Sequence, residues 1–212
     1  MIDVYILNIK KCQEALISLI PYVSPRRQRV FERVLIENSK LFSIASEVIL
    51  AHSLRLPLPC DYKTEDNGKP YIDGQKKFNI SHSGDYAVCA VSDFEIGVDI
   101  EAAQRFNPKI ITKFLAEEEI EDYKTLNQSA VLSFLCEKWV RKEAYLKLTG
   151  TGFRVAPNSL CFKGDTLMQD RAIFSKVFDI SQQEKLCVCA EKEDQINLIE
   201  VTPDELKRMI QN

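Results

Sequence analysis

Residues 78–101 read FNISHSGDYAVCAVSDFEIGVDIE, a stretch in which strand-like alternation brings polar residues into segments that otherwise suit a core. His82, one of two histidines in the chain, stands between two serines. The stretch ends in Asp99-Ile100-Glu101, and residues two apart on a strand point to the same face. The sequence therefore predicts a last strand with aliphatic side chains on one face and two carboxylates on the other.

The acid pair at the end of this strand needs a positive charge nearby, because two adjacent carboxylates repel each other. A hard divalent cation held by oxygen ligands is the natural candidate for Asp99 and Glu101. The alternative is a solvent-facing strand edge, which a bare D-x-E pair usually marks. A third acid from elsewhere in the chain would favour the metal site.

The composition is that of a folded protein with a sizeable core. Of 212 residues, 45% are hydrophobic and 28% charged, which fits one large domain or two small ones. A net charge of −3 argues against a nucleic-acid binder, which is usually basic. Seven cysteines without a C-x-x-C pair are typical of reduced, buried thiols. With no membrane-length apolar stretch and no signal-peptide pattern at the N-terminus, we expect a cytoplasmic protein without membrane contact.

The order of the predicted elements indicates an α+β fold. Periodicity and turn signals predict strands at 2–9, 77–81, 85–92, 96–101, 159–162, 171–179, 186–191 and 195–201. They predict helices at 11–20, 25–35, 38–54, 108–116, 117–126, 129–148 and after Pro203. The turn Asp93-Phe94-Glu95 is expected to join its two flanking strands as a hairpin. We expect two α+β halves, residues 1–103 and 104–212, packed as one body.

The long helix near 134–148 carries three side chains in one stripe along its length. Trp139, Glu143 and Lys147 recur every four residues and therefore share one face. The pair Glu143 and Lys147 has an ordinary interpretation as a stabilising surface ion pair. The functional interpretation adds Glu143 to the metal site, with Lys147 to neutralise phosphate charge.

Basic residues elsewhere offer anion sites. Arg26, Arg27 and Arg29 follow the helix start at Ser24-Pro25, where a helix N-terminus favours phosphate, although such a cluster is usually a solvated face. Lys69 lies on a turn and by itself would be an ordinary surface lysine.

Each signal is weak alone, but their order is specific. The motifs GKP-Y, FNISHSG, GVDIE and W-x-x-KEAYLK-x-x-G-x-G, within residues 68–152, resemble the 4′-phosphopantetheinyl transferases of the surfactin-synthetase type. The resemblance implies a pseudo-dimer of two similar α+β halves in one chain, active at their interface as a monomer. It implies transfer of the phosphopantetheine arm of coenzyme A to a serine of an apo acyl or peptidyl carrier protein, with release of 3′,5′-ADP.

The resemblance also implies roles for individual residues. Asp99, Glu101 and Glu143 would hold Mg²⁺, or Mn²⁺, and Glu143 would also accept the serine proton. Lys147 would contact the phosphate and assist the leaving group. The residues that would bind coenzyme A are Arg27, Ser43, Lys69, Ser81 and His82. Glu119 matches a further glutamate of the family.

This chain departs from the family pattern on its second helix. Where the family often carries Asp, Arg and Gly, this sequence has Ser39, Phe42 and Ser46. An arginine that would help to hold the nucleotide is therefore missing.

The segment after GVDIE corresponds to the carrier-docking region of the family. Its candidate contacts are Phe106, Ile110 and Phe114 with Arg105, Lys109 and Lys113. A plain helix core is an equally good interpretation of the three apolar residues.

Two other functions remain open from the sequence. One is a catalytically weakened homologue that binds coenzyme A or a carrier, which the missing arginine favours. The other is a metal-dependent pyrophosphate hydrolase that acts on nucleotides.

Overall fold

The computed structural model describes residues 1–210, apart from the side chains of residues 108, 110, 112 and 153. The strands are β1 (Ile2–Asn8), β2 (Lys63–Thr64), β3 (Pro70–Tyr71), β4 (Lys77–Ser83), β5 (Tyr86–Ser92), β6 (Ile96–Ala102), β7 (Phe162–Lys163), β8 (Thr166–Leu167), β9 (Phe174–Asp179), β10 (Glu184–Ala190) and β11 (Ile196–Glu200). The helices are α1 (Gln13–Ser18), α2 (Pro25–Arg33), α3 (Glu37–Leu54), α4 (Glu117–Lys124), α5 (Val131–Thr149) and α6 (Pro203–Arg208).

Two sheets form the centre of the molecule. The first has the strand order β11-β1-β5-β4, with β11 parallel to β1 and the other pairs antiparallel. The second has the order β6-β10-β9-β8-β7 and is antiparallel, while β2 and β3 form a separate short pair. The expected α+β class is confirmed.

The two sheets pack face to face, and one long helix covers the outer face of each. The core between the sheets contains the alternate residues of β1, β5, β6 and β10: Ile2, Val4, Ile6, Val88, Ala90, Ile96, Val98, Ile100, Leu186, Val188 and Ala190. The residues between them point outward, towards α3 in the first sheet and towards α5 in the second. Period-two alternation therefore produces a four-layer arrangement of helix, sheet, sheet and helix.

The expected hairpin between β5 and β6 is wrong. β5 pairs instead with β4 through the turn at Gly84, and β6 pairs with β10 in the other sheet. Alternation shows which face a residue occupies but does not identify the neighbouring strand, which here is contributed from far along the chain. The division of the chain near residue 103 stays a prediction, and each sheet contains strands from both sides of that point.

The helices differ from expectation mainly between residues 103 and 116. The helix expected over 108–116 is a 3-10 segment at Pro108–Lys113, which the side chain of Asn107 caps by accepting a hydrogen bond from the Lys109 amide. Within residues 1–210, no helix combines the length and apolarity that crossing a bilayer requires.

A single glycine allows α5 to lie directly on β6. A Cβ atom added to Gly97 would lie 2.0 Å from the carbonyl oxygen of Ala144 and 2.5 Å from the amide nitrogen of Leu148. Only the absence of a side chain permits this approach between helix and strand. Because Glu143 and Lys147 belong to this part of α5, the contact also sets their height above β6.

Gly97→Ala should therefore lower the free energy of unfolding by about 3 kcal/mol or more, because the helix backbone cannot yield as a side chain would. Gly164→Ala is the control: a Cβ there meets open space, and the positive φ of 56° costs only about 1–2 kcal/mol. Urea unfolding of both variants measures the difference. Equal losses would show that α5 can shift away from β6 at little cost.

A buried ion cluster joins α4 and β7 to α5. Glu119 accepts hydrogen bonds from the Ala116 amide at 3.0 Å, the Phe162 amide at 3.0 Å and the Lys142 ammonium at 2.5 Å. Lys142 is fully buried, and this burial lowers the pKa of its ammonium despite the opposing charge of Glu119. The Lys138 ammonium lies 3.8 Å from Glu119 Oε1. Both carboxylate oxygens of Glu119 therefore accept hydrogen bonds within the protein, and the residue has a structural role.

Glu119→Ala leaves the buried Lys142 without its counter-ion and should cost about 3–5 kcal/mol of stability. Glu118→Ala, on the exposed face of the same helical turn, should change stability by less than about 0.5 kcal/mol. Thermal and urea denaturation compare the two variants. A small effect of Glu119→Ala would mean that water or a rearranged lysine satisfies the cluster.

Candidate active site

The polar residues of the opening stretch join the two sheets along one seam, which we define as the contact between the edge strands β4 and β6. Asn79 Oδ1 accepts a hydrogen bond from the Val98 amide at 2.9 Å. Ser81 Oγ donates to Asp99 Oδ1 at 2.7 Å, and Ser83 Oγ donates to Glu101 Oε2 at 2.7 Å. Alternate residues of β4 therefore face alternate residues of β6, and side chains replace a backbone ladder.

Lys147 supplies the cation beside Asp99. Its ammonium donates to Asp99 Oδ1 at 2.7 Å and to Ser81 Oγ at 2.8 Å. Asp99 is buried, and its second oxygen, Oδ2, has no hydrogen-bond partner among the residues that the structure describes. A buried carboxylate oxygen without a partner is costly, so this atom is available to a ligand from the cavity.

Arg105 takes the equivalent place beside Glu101. Its Nη1 donates to Glu101 Oε2 at 3.0 Å and to Ser83 Oγ at 2.9 Å. Burial raises the pKa of Glu101, and the charge of Asp99 adds to this effect. Each acid of the β6 pair thus has one basic side chain as its neighbour.

Glu143 completes the acidic group from the helix. Burial, together with the charge of Asp99, raises the pKa of Glu143 to about 7 against the opposing charge of Lys147. A carboxyl group with this pKa exchanges its proton near neutral pH, which suits a general base or a ligand that ionises when a cation arrives.

These side chains surround one cavity of about 580 Å³. Its lining residues are Ser39, Phe42, Ile80, Ser81, His82, Ser83, Gly84, Asp99, Glu101, Arg105, Trp139, Glu143 and Lys147. A second cavity of about 280 Å³ adjoins it, shares Ile80, Glu143 and Lys147, and extends to Lys69 and Gly152. Glu143 and Lys147 therefore line both cavities, whereas Asp99 and Glu101 line only the larger one.

Comparison with known proteins identifies the family. A model of the 4′-phosphopantetheinyl transferase superfamily matches residues 95–201, which is half of the chain. The chain belongs to this superfamily. The resemblance drawn from the sequence motifs is confirmed.

Curated relatives carry the same family name. Over 65% of its own length, the chain is 32% identical to 4′-phosphopantetheinyl transferase gsp of Aneurinibacillus migulanus. Over 69% of its own length, it is 31% identical to 4′-phosphopantetheinyl transferase psf-1 of Bacillus pumilus. These matches span 60% and 66% of the relatives' own lengths. A solved holo-(acyl-carrier-protein) synthase from Bacillus anthracis, in complex with CoA (3′,5′-ADP), is 24% identical, and the match covers 47% of this chain and 97% of that one. Its TM-score of 0.42 is too low to decide the fold.

Six of the nine residues predicted for the phosphopantetheinyl transferase site line the larger cavity: Ser81, His82, Asp99, Glu101, Glu143 and Lys147. Lys69 lines the adjoining cavity instead. Its buried ammonium is already engaged, since it donates to Glu95 Oε2 at 2.6 Å and to the Leu148 carbonyl at 2.9 Å. Lys69 therefore fastens the turn before β3 to the C-terminal end of α5.

Arg27 and Ser43 lie outside the lining of both cavities. The Arg27 guanidinium donates to the Tyr62 hydroxyl at 3.3 Å, yet its charge acts on the site because it contributes to lowering the pKa of His82. The Ser43 hydroxyl is buried and donates to the Lys40 carbonyl at 2.6 Å within its own helix. In this structure, Ser43 thus has an intrahelical role.

Phe42, which stands where the family often has an arginine, stacks on His82. The ring centroids are 4.4 Å apart and the ring planes differ by 17°. Burial lowers the pKa of His82, and the charge of Lys147 lowers it further. At this point the cavity wall therefore consists of two stacked rings, where the family often has an arginine side chain.

Ser83 lines the cavity although it is not among the residues predicted for the site, and the spacing of Trp139 left its role open. Ser83 follows Ser81 at the strand period, which was the signal that could have revealed it. Trp139 lines the cavity and packs edge-on against Phe114, with centroids 5.3 Å apart. Phe114 is buried and Phe106 is half-buried in the same cluster, so the core interpretation holds for both, while the side chain of Ile110 is outside those described.

The donor set suits a hard cation. Within residues 1–210, no three acids, histidines or cysteines are already gathered as a metal site. The partnerless Oδ2 of Asp99 and the neighbouring carboxylates Glu101 and Glu143 nevertheless supply the oxygen donors that Mg²⁺ prefers. Burial raises the pKa values of Glu101 and Glu143, and the charge of Asp99 adds to both shifts, so a bound cation would favour the ionised form of both acids.

Glu143→Gln should stabilise the metal-free protein at neutral pH. The pKa of Glu143 is higher in the folded protein than in the unfolded chain, so its contribution to stability is present below about pH 4.5 and is lost as the pH rises to about 7. We expect a gain of about 1–3 kcal/mol at pH 8 and a much smaller gain at pH 5, from urea unfolding with a chelator present. Glu121→Gln, an exposed change, is the control and should show no such pH dependence.

Proposed function

We propose that this protein transfers the 4′-phosphopantetheine arm of coenzyme A to a serine of an apo acyl or peptidyl carrier protein and releases 3′,5′-ADP, with Mg²⁺ or Mn²⁺ as cofactor. One observation carries the proposal: the seam and α5 bring Asp99, Glu101, Glu143 and Lys147 into one cavity, where Asp99 Oδ2 has no partner among the described residues. Membership of the superfamily supports the same reaction.

The proposed step is an attack of the serine oxygen on the phosphorus that bears the pantetheine arm. The new bond joins that phosphorus to the serine oxygen, and the bond to the oxygen of the departing 3′,5′-ADP breaks. Asp99, Glu101 and Glu143 would hold the metal ion, which when bound offsets the negative charge of the pyrophosphate.

Two side chains of α5 handle the charge in this step. Glu143, whose pKa is about 7, accepts the serine proton directly or through water at neutral pH. The Lys147 ammonium, which donates to Asp99 and Ser81, would offset the charge on the leaving phosphate. Ser81 and His82 would contact coenzyme A along the same wall, with Phe42 stacked behind His82.

We also propose that the protein acts as a monomer in the cytoplasm. Two sheets of one chain enclose the cavity, which supports a monomer as the active form. All seven cysteines are buried free thiols, which supports a reducing location such as the cytoplasm.

Mass spectrometry of apo carrier proteins incubated with the protein, coenzyme A and Mg²⁺ tests the reaction. We expect the carrier to gain one phosphopantetheine arm, a chelator to stop the gain and added Mg²⁺ to restore it. Asp99→Asn, Glu101→Gln and Glu143→Gln should each slow transfer by about 100-fold or more, since each removes a proposed ligand of the metal ion that offsets the pyrophosphate charge.

Glu121→Gln on the exposed face of α4 is the matched control and should transfer at the wild-type rate. Wild-type rates in all three site variants would contradict the assignment of the acids. Release of 3′,5′-ADP without any carrier would instead indicate a hydrolase, and binding of coenzyme A without transfer would indicate a non-catalytic homologue.

A further inference from the structure

We propose that Arg105 binds the diphosphate group of coenzyme A and, through the same guanidinium, holds Glu101 beside it. The inference rests on the proposed function for the identity of the substrate. The sequence groups Arg105 with Lys109 and Lys113 as a contact for the carrier. Its hydrogen bonds, its open donors and the charge of the cavity point to a place within the reaction site.

Two acceptors of the seam fix the guanidinium of Arg105. Arg105 is the last residue of a short 3-10 segment, Ala103–Arg105, that directly follows β6. Its Nη1 donates to Ser83 Oγ at 2.9 Å and to Glu101 Oε2 at 3.0 Å. Ser83 Oγ donates to the same carboxylate oxygen at 2.7 Å. The three groups therefore contact one another pairwise, and the guanidinium is held in place before any substrate arrives.

The other donors of the guanidinium remain open. Among the residues that the structure describes, neither Nη2 nor Nε of Arg105 has a hydrogen-bond partner. The side chain is 61% exposed and lines the larger cavity. An ion pair with so exposed an arginine contributes little to stability, so stability does not explain the arrangement. A planar guanidinium with open donors is well suited to phosphate oxygens.

Few cations of the structure can meet a diphosphate in this cavity. Lys69 is bound to Glu95 and to the end of α5, and Arg27 lies outside the lining of both cavities. The lining of the larger cavity contains two cationic side chains, Arg105 and Lys147. Because both stand beside the acids of β6, a diphosphate that shares a metal ion with those acids comes close to both cations.

The charge of the cavity makes the metal ion and the diphosphate depend on each other. The lining contains three acidic and two cationic side chains, and burial lowers the pKa of its histidine, His82, which is neutral near pH 7. The lining therefore carries at most one net negative charge. A divalent cation that binds alone is repelled by Arg105, whereas the diphosphate is attracted to it. Arg105 thus weakens binding of the metal ion alone and strengthens binding of the metal ion with the diphosphate.

Two measurements without a carrier test this inference on wild type, Arg105→Gln and Arg105→Lys. Calorimetry gives the Kd of inorganic pyrophosphate and of coenzyme A, each with Mg²⁺, and electron paramagnetic resonance gives the Kd of Mn²⁺ alone. In Arg105→Gln we expect both anions to bind about tenfold more weakly or worse. We expect Mn²⁺ alone to bind about threefold more tightly or better, since a positive charge beside Glu101 is lost. Arg105→Lys keeps that charge and should recover part of the anion affinity while its Kd for Mn²⁺ stays near the wild-type value.

Lys109→Gln is the matched control. It removes an exposed cation four residues along the chain that does not line the cavity, and it should leave every Kd unchanged. All variants should keep the wild-type Tm, because both side chains are exposed.

The opposite signs in Arg105→Gln distinguish substrate binding from a structural role. Weaker binding of Mn²⁺ together with the anions would show that Arg105 only keeps the seam in place and would overturn the inference. So would equal anion Kd values in wild type and Arg105→Gln, or an unchanged Kd for Mn²⁺. A wild-type protein that binds neither anion would overturn the inference and the proposed function together. Arginine-dependent binding of coenzyme A without transfer to a carrier would count against the proposed function alone.

Discussion

The close approach of α5 to Gly97 is the constraint on which the rest of the site depends. With hydrogen in place of a side chain at Gly97, the carbonyl of Ala144 and the amide of Leu148 rest directly on β6. This contact places Glu143 and Lys147 over the strand that carries Asp99 and Glu101. The steric constraint lies in the backbone, so the distance of Glu143 and Lys147 from the acids of β6 depends on the absence of a side chain at Gly97.

The seam between β4 and β6 solves a second problem, which is how two sheets can meet at their edges without a shared ladder. Asn79, Ser81 and Ser83 satisfy the polar groups of β6, and two of them bond to its acids. In a purely structural core, apolar side chains between β4 and β6 would stabilise the fold more than these polar ones. They are consistent with a site whose acids are kept oriented and incompletely neutralised, at a cost in stability that the raised pKa values of Glu101 and Glu143 record.

Properties of a single strand or helix could be predicted from the sequence, whereas the contacts between elements could not. The faces of β6 followed from its alternation, because a side-chain period is a local property. The partner of β6 did not, and the expected hairpin with β5 was wrong because β10 lies more than eighty residues further along the chain. Phe106 and Phe114 were ambiguous for a related reason: they are core residues because Trp139 and Leu135, from a distant helix, pack against them.

The sequence by itself determined the class of fold, the family and the acids and lysine that now line one cavity, because these depend on residue types in a fixed order. Only the tertiary structure decided how the remaining groups are used: Lys69 is bound to Glu95 and the end of α5, Ser43 to its own helix, and Phe42 to the ring of His82. Burial and long-range contact depend on what the rest of the chain places against a residue, and spacing along the sequence does not contain that information.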